Sequence, residues 1–263
     1  MKFDFSFDKR VAKQYEAQRT HPPEVARQIG TAIAAQAGSA ARVLEIGIGT
    51  GRIARPVVAA GCHVTGFDLS WEMLTELERP STTHSTLAIL QADMHHLPIT
   101  AKQFDAVMAV HVLHLATDWQ QVLREAARVL KPGGAFIQGD DWIDPESVTG
   151  RLRDELRRQA MALSPNTRPP AAGIGKQALL AELGGTQLEE VIAAEWTTWV
   201  SPNERLEAIQ NRMDAESWMF PDAVFNILFQ KLQAYAAESW PNLAEKQPVT
   251  RRFLLKVSRG NWA

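Results

Sequence analysis

The run Val43-Leu44-Glu45-Ile46-Gly47-Ile48-Gly49-Thr50-Gly51 constrains this chain more than any other segment. An apolar, strand-like start leads into a turn with glycines at alternate positions, and a helix-compatible stretch follows. Glycine at such a turn permits positive φ and lets a ligand touch the backbone. The next helix would present its first N–H groups, which have no intrahelical partners, on the same side. A second short apolar run ends at Asp68, 19 residues after Gly49. A carboxylate at that place can accept both hydroxyls of an adenosine ribose.

The surrounding pattern says what kind of fold carries this turn. Short apolar runs recur at residues 43–46, 63–67, 87–91, 104–110 and 135–138, with helix-length segments between them. Strands alternating with helices imply βαβ units and a parallel sheet. The runs are continuously apolar rather than alternating, as expected when both sheet faces are covered. The clearest helix spans 118–130, where Val122, Leu123, Ala126, Ala127 and Leu130 share one face. Thr117 and Gln120 match a capping box at its start, and Lys131-Pro132-Gly133-Gly134 stops it. A helix after Gly51 would contain Pro56, which removes a backbone donor.

Outside this core the rhythm changes. Residues 15–37 read as helical, with Thr20 and Pro22-Pro23 suited to a helix start. Residues 151–163 and 176–183 read as helices, the second closed by Gly184-Gly185, and 164–175 is rich in proline and glycine. Residues 187–200 and 250–258 read as the last strands, and 202–240 as one long helical stretch. The expected architecture is an α/β, Rossmann-like, doubly wound sheet of seven strands, mostly parallel with the last strand antiparallel. Within one domain over 1–263, residues 1–42 form an N-terminal lid and 43–143 the cofactor-binding core. Residues 144–175 and 202–246 form a helical cap over an acceptor site, and 176–201 and 247–263 complete the sheet.

Two cofactor classes share a glycine turn followed by an acid. Dinucleotide enzymes need G-x-G-x-x-G to bring a pyrophosphate against the helix end. Gly47 and Gly49 fit the first two glycines, but the sixth position is Arg52 and the third glycine comes one residue early, at Gly51. S-adenosylmethionine has no pyrophosphate. It carries a sulfonium, an amine and a carboxylate, and Glu45 at the strand end suits the cationic part.

Further motifs follow in order. They are Gly66-Phe67-Asp68-Leu69-Ser70 with Met73-Leu74, then Gln91-Ala92-Asp93-Met94 with Leu97-Pro98, then Phe104-Asp105-Ala106-Val107 leading to Val110-His111, and Arg128-Val129-Leu130-Lys131-Pro132-Gly133-Gly134. With the first segment they resemble the class I S-adenosylmethionine-dependent methyltransferases, in the broad group that includes small-molecule and quinone-type (type 11) enzymes. The resemblance covers residues 43–141. It implies S-adenosyl-L-methionine as cofactor and transfer of its methyl group to a small-molecule acceptor. It implies that Asp68 binds the ribose, that Leu69 and Met73 flank the adenine, and that Asp93 bonds the adenine amino group with Ala92 and Met94 beside it. Gly47 and Gly49 would approach the methionine part, and Val110 and His111 would lie under the cofactor. Tyr15 and Arg19 fall in the segment that covers the cofactor in related enzymes, where Arg19 would pair with its carboxylate.

Methyl transfer from a sulfonium needs in-line positioning and exclusion of water. An acceptor with an acidic proton also needs a base, and His111 and His114 are the candidates. For His111 the preferred reading is a residue that only lines the cofactor pocket. Asp140, Asp141 and Trp142 follow the fifth strand and would face the acceptor or serve as cap and packing. His95-His96 has no carboxylate partner at ligand spacing, so a loop reading is preferred and no metal is expected. Residues 151–158 read as a solvated helix face. Trp196, Trp199, Trp218 and Trp240 read as core or as an apolar acceptor pocket. No Asn/Asp-Pro-Pro-Tyr follows the fourth strand, and neither the acids of magnesium-dependent catechol-type enzymes nor the N-terminal signature of quinone-type enzymes is visible.

Composition removes other classes. The formal net charge of −2, from 28 basic and 30 acidic side chains, provides no field for a phosphate backbone, so nucleic acid is not expected as substrate. The single cysteine, Cys62, cannot form an internal disulfide and reads as buried and inert. No apolar run is long enough to span a membrane, and the N-terminal residues lack a signal-peptide core. A cytoplasmic protein is expected, as monomer or dimer. The rival readings are a nicotinamide-dependent oxidoreductase, disfavoured by Arg52, and a cofactor-binding protein without turnover.

Overall fold

The computed structural model describes residues 21–78, 86–163, 176–213, 217 and 220–262. In chain order the elements are α1 (Pro23–Ala37), β1 (Arg42–Ile46), α2 (Ala54–Ala59), β2 (His63–Asp68), α3 (Trp71–Glu78), β3 (Leu87–Gln91) and β4 (Phe104–Val110). A short 3-10 turn at Leu113–Leu115 precedes α4 (Trp119–Val129), β5 (Leu130–Ile143), α5 (Val148–Leu163) and α6 (Lys176–Glu182). The chain continues through β6 (Gly185–Val200), α7 (Pro202–Gln210), α8 (Asp222–Ser239) and β7 (Gln247–Gly260).

The strands form one seven-stranded sheet in the order β3-β2-β1-β4-β5-β7-β6. β1 pairs in parallel with both β2 and β4, β2 with β3, and β4 with β5. β7 runs antiparallel to its neighbours. Against β5, the Asp144 N–H donates to the Thr250 carbonyl and the Trp262 indole N–H to the Gly134 carbonyl, so one strand ascends as the other descends. Against β6, Arg252 meets Glu195 while Lys256 meets Glu190, the same opposed order. The expected Rossmann-like sheet, mostly parallel with an antiparallel last strand, is therefore the observed one.

Burial explains why the central strands need no polar alternation. In β1 and β4, Val43, Leu44, Ile46, Ala106, Val107 and Met108 are wholly buried. Leu44 and Ile46 pack with Val122, Leu123 and Ala126 of α4 on one face. α1 crosses α2 at Gly30, where an added Cβ would stand 2.4 Å from the Pro56 carbonyl carbon. α1 inserts Val25, Ile29, Ile33 and Ala37, a stripe at helical spacing.

The chain divides into two compact units. One contains the described residues of 7–140, 170–194 and 253–263, and so the glycine turn and most of the sheet. The other contains those of 141–163 and 195–252. It has its own core, in which Val148, Leu152 and Leu156 of α5 pack with Leu206 and Ile209 of α7 and Leu228 and Leu232 of α8.

Several local expectations change. The N-cap of α4 is Asp118, whose carboxylate accepts from the Gln121 N–H at 2.9 Å, whereas the Thr117 hydroxyl lies 3.4 Å from the His95 ring. β5 runs on through Asp140, Asp141 and Trp142 because β7 supplies ladder partners as far as Asp144. The stretch 202–240 is not one helix. α7 ends at Gln210, and Arg212 turns the chain with φ +54°, donating to the Ser217 and Phe220 carbonyls before α8 begins. Arg151 is not part of a solvated face, since its guanidinium lies 4.5 Å from the Trp240 ring centre. Trp240 is core, Trp199 is exposed, and Trp218 lies outside the described residues.

Candidate cofactor and acceptor site

The strand order reverses at β1, which has β2 on one side and β4 on the other. In open α/β sheets, ligands bind at the carboxyl ends of the strands flanking such a reversal. Both the glycine turn after β1 and His111 after β4 lie there. Gly47, Gly49 and Gly51 all adopt positive φ, at 69°, 55° and 80°. A Cβ at Gly47 would stand 2.4 Å from a methyl of Val112, so this turn can pass only as glycine. Gly66 has a similar cause: a side chain there would collide with Ile48, which tucks over β2 while its N–H donates to the Phe67 carbonyl.

Asp68 ties the turn to the second strand. One carboxylate oxygen accepts from the Gly49 N–H and the other from the Ser70 N–H, both at 2.9 Å. Burial raises its pKa above the usual carboxylate value, and the N–H donors of Ser70, Gly49 and Leu69 work against that rise. A carboxylate has about four acceptor sites, so these three donors leave capacity for a ligand hydroxyl. The sequence pointed to a ribose partner; the fold adds that this carboxylate also sets the shape of the turn. Ser70, the last residue of the 66–70 motif, accepts from the Met73 N–H and starts α3. Met73 is buried, with its methyl beside Gly49, and Leu69 is largely exposed at the rim.

Glu45 lies beneath the turn, 2% exposed. Its Oε2 is buried without a hydrogen-bond partner. Desolvation drives its pKa well above the ordinary value; Arg52 opposes this, Asp68 adds to it, and the Ala54 N–H opposes it. Arg52 itself donates to the His21 ring at 3.1 Å. A buried carboxyl with a spare acceptor is suited to a cationic amine, so the residues present fit the amino-acid end of S-adenosylmethionine.

The third-motif loop is held in place from α4. Asp93 accepts from both the N–H and the ring Nδ1 of His95, at 2.9 and 2.6 Å, which lowers its pKa. The other His95 ring nitrogen accepts from the Asp118 N–H at 3.3 Å. His95 is thus a loop clamp. Arg128 donates to the Leu97 and Ile99 carbonyls, while Glu125 accepts from the Leu97 N–H. Met94 and Ala92 pack against the core beside this loop. Tyr15 and Arg19 lie outside the described residues. Cys62 is buried, and burial raises its thiol pKa.

Val110 ends β4, and His111 follows with φ +50°. Positive φ is uncommon away from glycine, although histidine tolerates it better than most residues. The His111 Nδ1 stands 3.8 Å from Asp140. Both border a cavity of about 220 Å³. Val112, Leu113 and His114 line it from the end of β4, and Gln138 and Asp140 from β5. Lys176 and Leu180 enter from α6, and Lys256 and Ser258 from β7. Val112 therefore touches the glycine turn and lines this cavity. Gln138, Lys176, Lys256 and Ser258 carry no motif in the sequence, because they come from elements far apart in the chain.

Comparison with known proteins agrees with this arrangement. Residues 44–138 match a family model described as a methyltransferase domain, and this segment is a class I S-adenosylmethionine-dependent methyltransferase domain. Among curated relatives, an uncharacterised protein of Mycobacterium tuberculosis is 34% identical over 117 residues, covering 44% of this chain and 42% of that protein. Malonyl-[acyl-carrier protein] O-methyltransferase of Enterobacter lignolyticus is 38% identical over 100 residues, 36% of this chain and 37% of that one. Demethylmenaquinone methyltransferase of Tropheryma whipplei is 38% identical over 95 residues, 36% and 39% of the two chains. The matches thus span well under half the length of these relatives. The YcgJ protein of Bacillus subtilis has the same fold, with a TM-score of 0.55 at 19% identity over 90% of this chain and 99% of that one. Membership of this family leaves the nicotinamide reading without support. No described helix is long and apolar enough to cross a membrane.

Proposed function

We propose that this chain transfers a methyl group from S-adenosylmethionine to a small-molecule acceptor bound in the cavity beside Val112. The observation that carries the reading is the position of Val112, which packs on Gly47 of the cofactor turn and lines the cavity. The two relatives with stated reactions are named for different acceptors, and the cavity adds Asp140, Lys176, Leu180, Lys256 and Ser258 from outside residues 44–138, where acceptor choice can be set.

S-adenosylmethionine supplies an activated methyl on its sulfonium, so no nucleophile is demanded of the protein. Asp68 would hold the ribose hydroxyls, Asp93 the adenine, and Glu45 the amine. Leu69 and Met73 would border the adenine, with Gly47 and Gly49 offering backbone to the methionine part. His111 would accept the acceptor's proton, with its ring directed by Asp140, and His114 would line the opposite approach.

The experiment is a calorimetric titration of the full chain with S-adenosylhomocysteine and, separately, with NADH, followed by a screen of small molecules for methylated products. Saturable binding of S-adenosylhomocysteine alone is expected; binding of NADH alone would defeat the proposal. With an acceptor in hand, His111→Asn tests the base. Asparagine tolerates the same backbone conformation. The variant should bind S-adenosylhomocysteine normally while kcat falls by about 10²-fold or more. An unchanged kcat would leave His111 as a lining residue only.

A further inference from the structure

The cavity beside Val112 holds more donors than acceptors. Gln138 lines it, and its amide nitrogen is buried without a hydrogen-bond partner. Lys176 lines the same cavity, half-buried, and makes no hydrogen bond or ion pair with any described residue. Burial lowers its pKa below the ordinary lysine value; Asp140 opposes that and Lys256 adds to it.

The other charged groups facing the cavity are better matched. Lys256 has Glu190 at 3.7 Å, and Asp140, 64% exposed, has the His111 ring at 3.8 Å. His114 completes the set. A buried donor left without an acceptor costs about 1–3 kcal/mol, more when charged. Gln138 is such a donor, and Lys176 adds an unpaired positive charge to the same cavity, a combination that suits a ligand with two acceptor atoms and one negative charge. A dianion is disfavoured because Asp140 faces the same space.

We propose that this cavity binds a carboxylate, held between the Lys176 ammonium and the Gln138 amide, so that the methyl acceptor carries a carboxylate as its anchor, separate from the protonated atom that is methylated. The assignment of the cavity to the acceptor rests on the methyltransferase reading; its preference for a carboxylate does not. Val112, Leu113 and Leu180 suit the apolar remainder of such a molecule. A cavity of about 150 Å³ accommodates benzene, so 220 Å³ is compatible with an aryl or short alkyl acid.

The test uses the full chain saturated with S-adenosylhomocysteine, titrated by protein-observed NMR with benzoate and phenylacetate and with the neutral benzamide and phenylacetamide. The acids should bind at least about tenfold more tightly than their amides. Lys176→Met should abolish that preference while the affinity for S-adenosylhomocysteine and the melting temperature stay at wild-type values, with Lys176→Gln as a second variant if the first is unstable. Lys256→Met should keep the preference. Equal binding of acid and amide overturns the proposal. So does a preference that survives Lys176→Met, tighter binding of phenyl phosphate than of the acids, or no acid binding at millimolar concentration. Failure of the methyltransferase reading shows separately, as a protein that does not bind S-adenosylhomocysteine at all.

Discussion

Glu45 makes a testable link between burial and binding. Its carboxyl is buried beneath the glycine turn with one oxygen unpartnered, and desolvation raises its pKa well above the ordinary value. Folding therefore favours the protonated form. That contribution to stability is full at acidic pH and is lost as pH rises toward the folded pKa. Glu45→Gln keeps the shape without the charge. Thermal melts should show the variant gaining on the wild type as pH rises, with little difference in acid. Calorimetry should show its affinity for S-adenosylhomocysteine reduced about tenfold or more. A variant that loses stability at alkaline pH, or binds normally, would remove Glu45 from the amine site.

The helices of the second unit are defined by side chains at their ends as much as by their faces. Ser201 and Glu204 form a reciprocal capping box at the start of α7, with the Ser201 hydroxyl accepting from the Glu204 N–H at 3.2 Å and the Glu204 carboxylate from the Ser201 N–H at 2.9 Å. Replacing Ser201 with alanine should cost about 1 kcal/mol in urea unfolding. A loss within error of zero would mean that burial of Leu206 and Ile209 alone holds the helix. The turn after α7 depends on Arg212, which donates to two carbonyls, pairs with Asp222 at 2.7 Å and lies 4.1 Å from the Phe225 ring centre. Arg212 thus fixes the end of α7, and Pro221 at the N-cap position opens α8.

At the scale of the molecule, a cofactor that binds only the folded chain must raise its stability. S-adenosylhomocysteine at a hundred times its dissociation constant should add about 2.7 kcal/mol to unfolding. NADH at the same concentration should leave the thermal midpoint unchanged. A midpoint indifferent to S-adenosylhomocysteine would contradict a site preformed by Asp68, the glycine turn and Glu45. The sheet supplies that preformation, since β1, β2 and β4 bring the turn, its acid and His111 to one edge through parallel pairing.

The sequence by itself determined the parallel core and the cofactor class. β4 begins and ends where its apolar run does, because a strand buried on both faces must be apolar throughout, and β3 matches its run at the partly exposed edge of the sheet. The glycine turn and Asp68 were legible because their chemistry lies in one βαβ unit, where local spacing fixes what can meet. Elsewhere local rules admitted more than one outcome. Thr117 and Asp118 both precede a glutamine three residues on, and packing of His95 decided for Asp118. β5 extends past its glycine and aspartates because β7, more than a hundred residues later, provides the ladder. The cavity could not be read from any segment. Val112, Gln138, Lys176 and Lys256 meet only after β7 inserts beside β5 and α6 packs on the sheet. Tertiary structure alone brings those donors together, since hydrogen-bond balance depends on which side chains become neighbours and not on their order in the chain.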